Sequence, residues 1–201
     1  MASTYPTTPK GHRTRSQILA AAADIFARDG YVHAGMADIA ERAQLSMGGL
    51  YRYFGSKEEL FAVLAQEHLE EYLAALDEVW DELIARPERG LVAINRAMVE
   101  FWVRQAGLSR VLEEAAAVAP DHDHAVDAAR SRAIAGISRR LVVAGRVPDG
   151  HPLARVVELL MDTTRRAALQ VAADPALDEG TTVDLLVRLW SAALVSPDGL
   201  E

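Results

Sequence analysis

Residues 36–57, MADIAERAQLSMGGLYRYFGSK, constrain the fold more tightly than any other stretch of the chain. Ile39, Ala40 and Ala43 recur at helical spacing, Leu45-Ser46 interrupts them, and a second short helix is expected over Met47–Phe54. A helix that opens Ser-Met-Gly-Gly is not there for its own stability, because each interior Gly costs about 1 kcal/mol relative to Ala. Gly48 and Gly49 instead offer a bare backbone that can approach something large, and Ser46 suits the N-cap. The first-turn amides then point outward as an anion site. A pair of short helices, the second bare at its start and crowded with Tyr51, Tyr53 and Phe54 at its end, suits insertion into a DNA major groove.

Taken together, Asp38-Ile39-Ala40-Glu41-Arg42-Ala43, Leu45-Ser46, Gly48-Gly49-Leu50-Tyr51-Arg52-Tyr53-Phe54 and Lys57-Glu58-Glu59-Leu60 resemble the DNA-binding signature of the TetR/AcrR family of transcriptional regulators. The resemblance covers residues 14–61; elsewhere the chain is similar to that family in length and helical character alone. It implies an all-α fold, with an N-terminal three-helix helix-turn-helix domain and a C-terminal helical domain for ligand binding and dimerisation. It also implies a homodimer on a palindromic double-stranded DNA operator, released by a small-molecule effector. By the same resemblance Ser46, Met47, Gly48, Gly49, Tyr51 and Arg52 face DNA, with Tyr53 and Lys57 at phosphates. Arg52 is a bidentate guanine reader, a phosphate contact or a solvated surface charge. Tyr51 and Tyr53, two apart on a helix, face different ways, so one buries its ring. Two positions depart from the family pattern: Met36 stands where a threonine cap is usual, and Gln44 where the turn usually has glycine.

Charge supports a polarised molecule. The chain carries −8 overall, yet residues 1–56 hold six Lys/Arg against four acids, a balance of +2 that leaves −10 to the remainder. One end can approach a polyanion while the acidic bulk is held away. The absence of cysteine excludes a disulfide framework and a thiolate site. No uncharged apolar run of 18 residues occurs and MASTYPTTPKGHRTR has no apolar signal core, so a cytoplasmic location without membrane contact is expected.

In chain order, residues 1–13 read as a flexible N-terminal arm, 14–56 as the helix-turn-helix domain, and 57–201 as the effector-binding and dimerisation domain. A first helix is expected over Thr14–Asp29, capped by Gly30. From Lys57 to Arg86 no Gly or Pro occurs, so one helix of about 45 Å is possible, with a break expected near Gln66–His68. Pro87–Gly90 reads as a chain break, followed by helices over 91–106, 108–119, 121–147, 151–173 and 182–195.

Tyr72, Trp80, Met98, Phe101, Trp102 and Met161, with Arg165, Arg104, Glu100 or Glu114 for polarity, are candidates to line an effector pocket, because such cavities favour aromatic and thioether walls. The alternative is a solid core in a ligand-independent DNA-binding protein. The last helix is apolar around most of its girth and needs cover on two sides, which a second copy would supply. Val157, Leu160, Thr164, Ala168, Leu186, Trp190 and Leu194 are the candidates for that dimer interface. Chemistry is not indicated. Asp121-His122-Asp123-His124 places adjacent ligands around a helix axis instead of converging them, so no metal site is expected. No cofactor motif or catalytic pairing accompanies it, and an enzyme is not expected.

Overall fold

The computed structural model describes residues 8–118, 123–143 and 152–194. Among them every regular element is helical: α1 (Pro9–His33), α2 (Met36–Arg42), α3 (Met47–Tyr51), α4 (Lys57–Asp77), α5 (Trp80–Ala85), α6 (Pro87–Arg104), α7 (Ala106–Val118), α8 (Asp123–Val143), α9 (Leu153–Ala173) and α10 (Glu179–Leu194). The chain forms two compact units, Met1–His68 with Gly107–Asp127, and Leu69–Ala106 with Ala128–Glu201.

In the first unit α1 starts at Pro9, earlier than the expected Thr14. Thr8 accepts a hydrogen bond from the Gly11 amide at 3.1 Å, and Pro9 occupies the opening turn, where its missing N–H is not needed. The helix kinks at Gly30, whose φ of 77° lies in the left-handed region. Ile18, Leu19, Ala22, Ile25 and Phe26 face inward at the helical period and meet Ile39, Leu50, Phe54, Leu60 and Phe61. Val111 and Ala115 of α7 close the same core. The Phe26, Tyr31 and Phe61 rings stack against one another with centroids 4.7–5.8 Å apart.

The α2–α3 turn answers the question Gln44 raised. Gln44 takes φ 56°, its N–H bonds to the Glu41 carbonyl, and Leu45 N–H bonds to the Ala40 carbonyl, each at 2.9 Å. This pair of bonds is the Schellman arrangement that ends a helix on a left-handed residue. The turn keeps the shape glycine would give it and holds a side chain in strained backbone. At the other end of α2, Gly35 is the N-cap and no side chain caps the helix.

In the second unit α6 lies against α5, α9 and α10. Pro87 and Gly90 do not break the chain. Pro87 starts α6, and Gly90 sits inside it because a side chain there would begin 2.1 Å from Leu83 Cα. α4 runs unbroken through Gln66–His68 and stops at Asp77, with turn residues Glu78-Val79 before α5.

The residues expected at a dimer interface are placed elsewhere. Val157, Leu160, Thr164, Ala168, Leu186, Trp190 and Leu194 are all buried inside the second unit of a single chain. Trp190 Nε1 donates to Thr164 Oγ1 at 3.1 Å within that interior. The apolar stripes of α9 and α10 are wide, and their central residues face α6 and each other. Left exposed on these helices are Leu159 of α9 and Leu185 and Leu189 of α10, by 51%, 60% and 43%.

Candidate nucleic-acid interface

α3 is built to present its surface and not to support itself. Leu50 is its only buried residue, docked in the first unit's core. Ser46 is the N-cap, its Oγ accepting the Gly49 amide at 3.1 Å. With five residues the helix develops little macrodipole, so the dipole share of the expected anion site is small. The two glycines play different parts. A Cβ on Gly49 would press on Ser46 Oγ at 3.3 Å, whereas one on Gly48 would meet nothing within 4 Å.

Around that bare position the side chains point out. Met47 is 38% and Tyr51 49% exposed, unusual for residues of their size. Arg52 is exposed at the C-cap, its guanidinium 5.8 Å from the Tyr53 ring centre. Tyr53 is the member of the tyrosine pair that packs against the core, while Tyr51 faces solvent.

Lys57, expected at a phosphate, has its charge engaged within its own unit. Nζ donates to the carbonyls of Tyr31 at 2.8 Å, Ala34 at 3.2 Å and Val32 at 3.4 Å, and lies 4.6 Å from the Tyr31 ring centre. The α1–α2 corner is gripped from a second side by Glu114, which accepts the Val32 amide at 3.3 Å. Arg15 pairs with Glu67 at 2.8 Å and lies over Phe54, Arg28 pairs with Asp29 at 2.6 Å, and Arg42 pairs with Asp24. Among the described residues Lys10, Arg13 and Arg52 have no ion pair, and all three are exposed. Lys10 and Arg13 ride on the first turns of α1, a helical placement hidden when Met1–Arg13 is read as an arm. The Thr8-Pro9 pair is the helix-start signal that would have revealed it.

The expected pocket residues form one aromatic group in the second unit. Tyr72, Phe101 and Trp102 have ring centroids 5.0–5.2 Å apart, and Trp80 and Met98 are buried in the same cluster. Met161 packs on it in part, and Arg165 is half-buried on α9. Burial drives the Tyr72 hydroxyl far above the ordinary tyrosine range, the Trp102 indole beside it offsetting part of the rise. Of the Asp121–His124 cluster, the first two residues lie outside the described residues and the others are known only as helical backbone. Among the described residues no three His, Asp or Glu side chains gather as a metal site. Among them, too, no helix is long and apolar enough to cross a membrane.

Residues 18–64, which contain α2, α3 and Lys57, match the model of the bacterial regulatory proteins of the tetR family. In that segment the chain is similar to the TetR family. Its curated relatives include the transcriptional activator FasR of Mycolicibacterium smegmatis, 40% identical over 68 residues, or 34% of this chain and 31% of FasR. The transcriptional repressor AcnR of Corynebacterium efficiens is 33% identical over 107 residues, 53% of this chain and 52% of AcnR. The chain thus matches these HTH-type relatives over a third to a half of their own length. Solved structures extend the likeness to the fold as a whole. A transcriptional regulator from Rhodococcus sp. Rha1 is 25% identical with a TM-score of 0.73, covering 90% of this chain and 95% of that one. FadR of Bacillus subtilis, solved in complex with stearoyl-CoA, is 17% identical with a TM-score of 0.71 over 89% of this chain and 98% of that one. The TetR family and these curated relatives are transcriptional regulators, not enzymes.

Proposed function

We propose that the chain is a cytoplasmic, sequence-specific DNA-binding regulator, a repressor that holds a palindromic operator as a homodimer and leaves it when a small molecule binds. The observation that carries the DNA reading is α3: an open backbone at Gly48 flanked by outward Met47, Tyr51 and Arg52 on a helix anchored by Leu50. Arg52 reads a guanine edge or a phosphate, Met47 packs on a thymine methyl, and Ser46 and Gly49 hold the helix opening against the backbone. Tyr53 buttresses the helix end. Lys10 and Arg13 add phosphate contacts, and Lys57 acts through the α1–α2 corner that it pins.

The dimer reading rests on Leu159, Leu185 and Leu189, large apolar side chains left uncovered on α9 and α10. Two copies joined there would present two α3 helices to successive major grooves, about 34–36 Å apart. Repression is favoured by AcnR, and the effector reading by the aromatic cluster around Tyr72. FadR, which shares the fold, is solved in complex with stearoyl-CoA, so the fold is compatible with a small-molecule effector. An effector releases DNA only to the extent that it binds the non-fitting form more tightly, by several kcal/mol for a full switch. Footprinting on the DNA flanking the chain's own gene, with and without candidate effectors, tests this. Protection of two half-sites one helical turn apart is expected. Failure to protect any duplex at low salt would end the proposal.

A further inference from the structure

Asn95 is the only fully buried amide side chain among the described residues. Its Nδ2 donates to the Leu91 carbonyl at 3.0 Å, one turn back on α6. That bond fixes the amide's orientation, because the flipped form would set two oxygens face to face. Oδ1 is left buried with no hydrogen-bond partner among the described residues. Buried acceptors without partners are rare in folded proteins, and leucine at this position would remove the defect.

The surroundings indicate what the oxygen is for. The second unit holds two separate apolar clusters. Leu91, one turn before Asn95, belongs to the larger, which contains Tyr72, Trp80 and Phe101. Val99, one turn after, belongs to the smaller, with Ala168, Val183 and Leu186. Trp102, two turns along the same face of α6, packs against both. Asn95 and Trp102 therefore mark the seam where the two clusters meet, and a flat ring inserted there would part contacts between clusters and leave each one intact. Trp80 Nε1 is another buried polar atom of this unit without a partner among the described residues. Among the described residues none of the unit's fully buried side chains carries a charge; the guanidiniums that reach its rings, Arg104 over Phe101 and Arg140 over Trp80, sit at exposed and half-exposed positions, so an ionised group at this seam gains no buried counter-charge.

We propose that Asn95 Oδ1 is the acceptor for an uncharged aromatic effector bearing an N–H or O–H donor, seated along α6 beside Trp102. The ligand class is neutral aromatic amides and phenols, favoured over carboxylates and phosphates, which would lie beside no buried charge. This deepens the effector reading above and rests on it.

The test uses a matched pair, naphthalene-2-carboxamide and 2-naphthoate, with the full chain, followed by thermal melting and calorimetry. The carboxamide is expected to raise the melting temperature and to bind with measurable heat, and the naphthoate to do neither. Asn95→Leu is expected to melt at or above the wild-type temperature without a probe and to bind the carboxamide at least about tenfold more weakly. Equal or tighter binding of the naphthoate, or undiminished carboxamide binding by Asn95→Leu, overturns the proposal and leaves the effector reading standing. Binding of neither probe also overturns it. The effector reading itself falls separately, if no anionic or neutral compound in a broad panel releases bound DNA. Asn95→Thr, which keeps an acceptor, serves if the leucine variant does not fold, and it should retain part of the carboxamide shift.

Discussion

Trp190 Nε1 donates to Thr164 Oγ1 across the α9–α10 contact, with both side chains buried. The two residues that the sequence offered as partners for another subunit are partners for each other. Thr164→Val would leave the indole N–H buried without an acceptor, at about 1–3 kcal/mol. Chemical denaturation should read that loss. Light scattering should show the oligomeric state unchanged, since the bond lies inside one chain.

The exposed leucines of the same helices should behave in the opposite way. Leu185→Glu combined with Leu189→Glu places like charges on the exposed face while leaving the core intact. The expected outcome is a folded monomer by light scattering with near wild-type helicity by circular dichroism, and weakened operator binding. A variant that stays dimeric would exclude this face.

At the start of α3, Gly48→Ala meets no steric obstacle in the free chain. Helix propensity alone should stabilise the protein by about 0.5–1 kcal/mol. If the bare backbone exists for close approach to DNA, the same substitution weakens operator binding by about tenfold, or ~1.4 kcal/mol. Melting temperature and gel-shift affinity moving in opposite directions is the signature.

Gln44 gives a test of the backbone alone. Its φ of 56° is unfavourable for a residue with a side chain, and its amide bonds to Glu41 in a way glycine would reproduce. Gln44→Gly should stabilise the protein by about 1 kcal/mol, the lost strain exceeding glycine's extra freedom in the unfolded chain. Urea unfolding midpoints would show it, with the slope unchanged.

His68 makes stability depend on pH. It is buried on α4, and desolvation lowers its pKa from 6.5 to about 4. The unfolded chain therefore binds the proton more readily, so stability is full above pH 6.5 and falls as the pH drops toward 4. The difference converts to about 3 kcal/mol. His68→Gln should flatten this part of the pH profile, which a series of unfolding titrations between pH 7 and 4 would show.

Some of this was written plainly in the chain and some was not. The helix-turn-helix is legible because independent signals coincide there: the period of Ile39 and Ala40, the Ser46 cap and the aromatic end. The inward turn of Tyr53 against the outward turn of Tyr51 follows from their spacing, although the sequence does not say which is which. Gly90 misleads, since a glycine that breaks a helix and one that admits Leu83 at close range have the same letter. Val157, Leu186 and their neighbours mislead for a different reason. A wide apolar stripe states how much surface must be covered, not which edge the chain covers itself. The partners of Lys57 are main-chain carbonyls, which leave no mark in the sequence at all. The same is true of the turn at Glu78-Val79, which no Gly or Pro announces.

Val111, Glu114 and Ala115 come from α7, more than forty residues after α4 begins, yet they complete the unit that carries α3. The reading head is thus discontinuous in the chain. A hybrid regulator spliced after His68, with a foreign C-terminal half, would lose the wall that covers its own N-terminal core and the carboxylate that holds the Val32 amide. Grafting the specificity of this chain onto another sensor would require carrying both segments across, not the first alone.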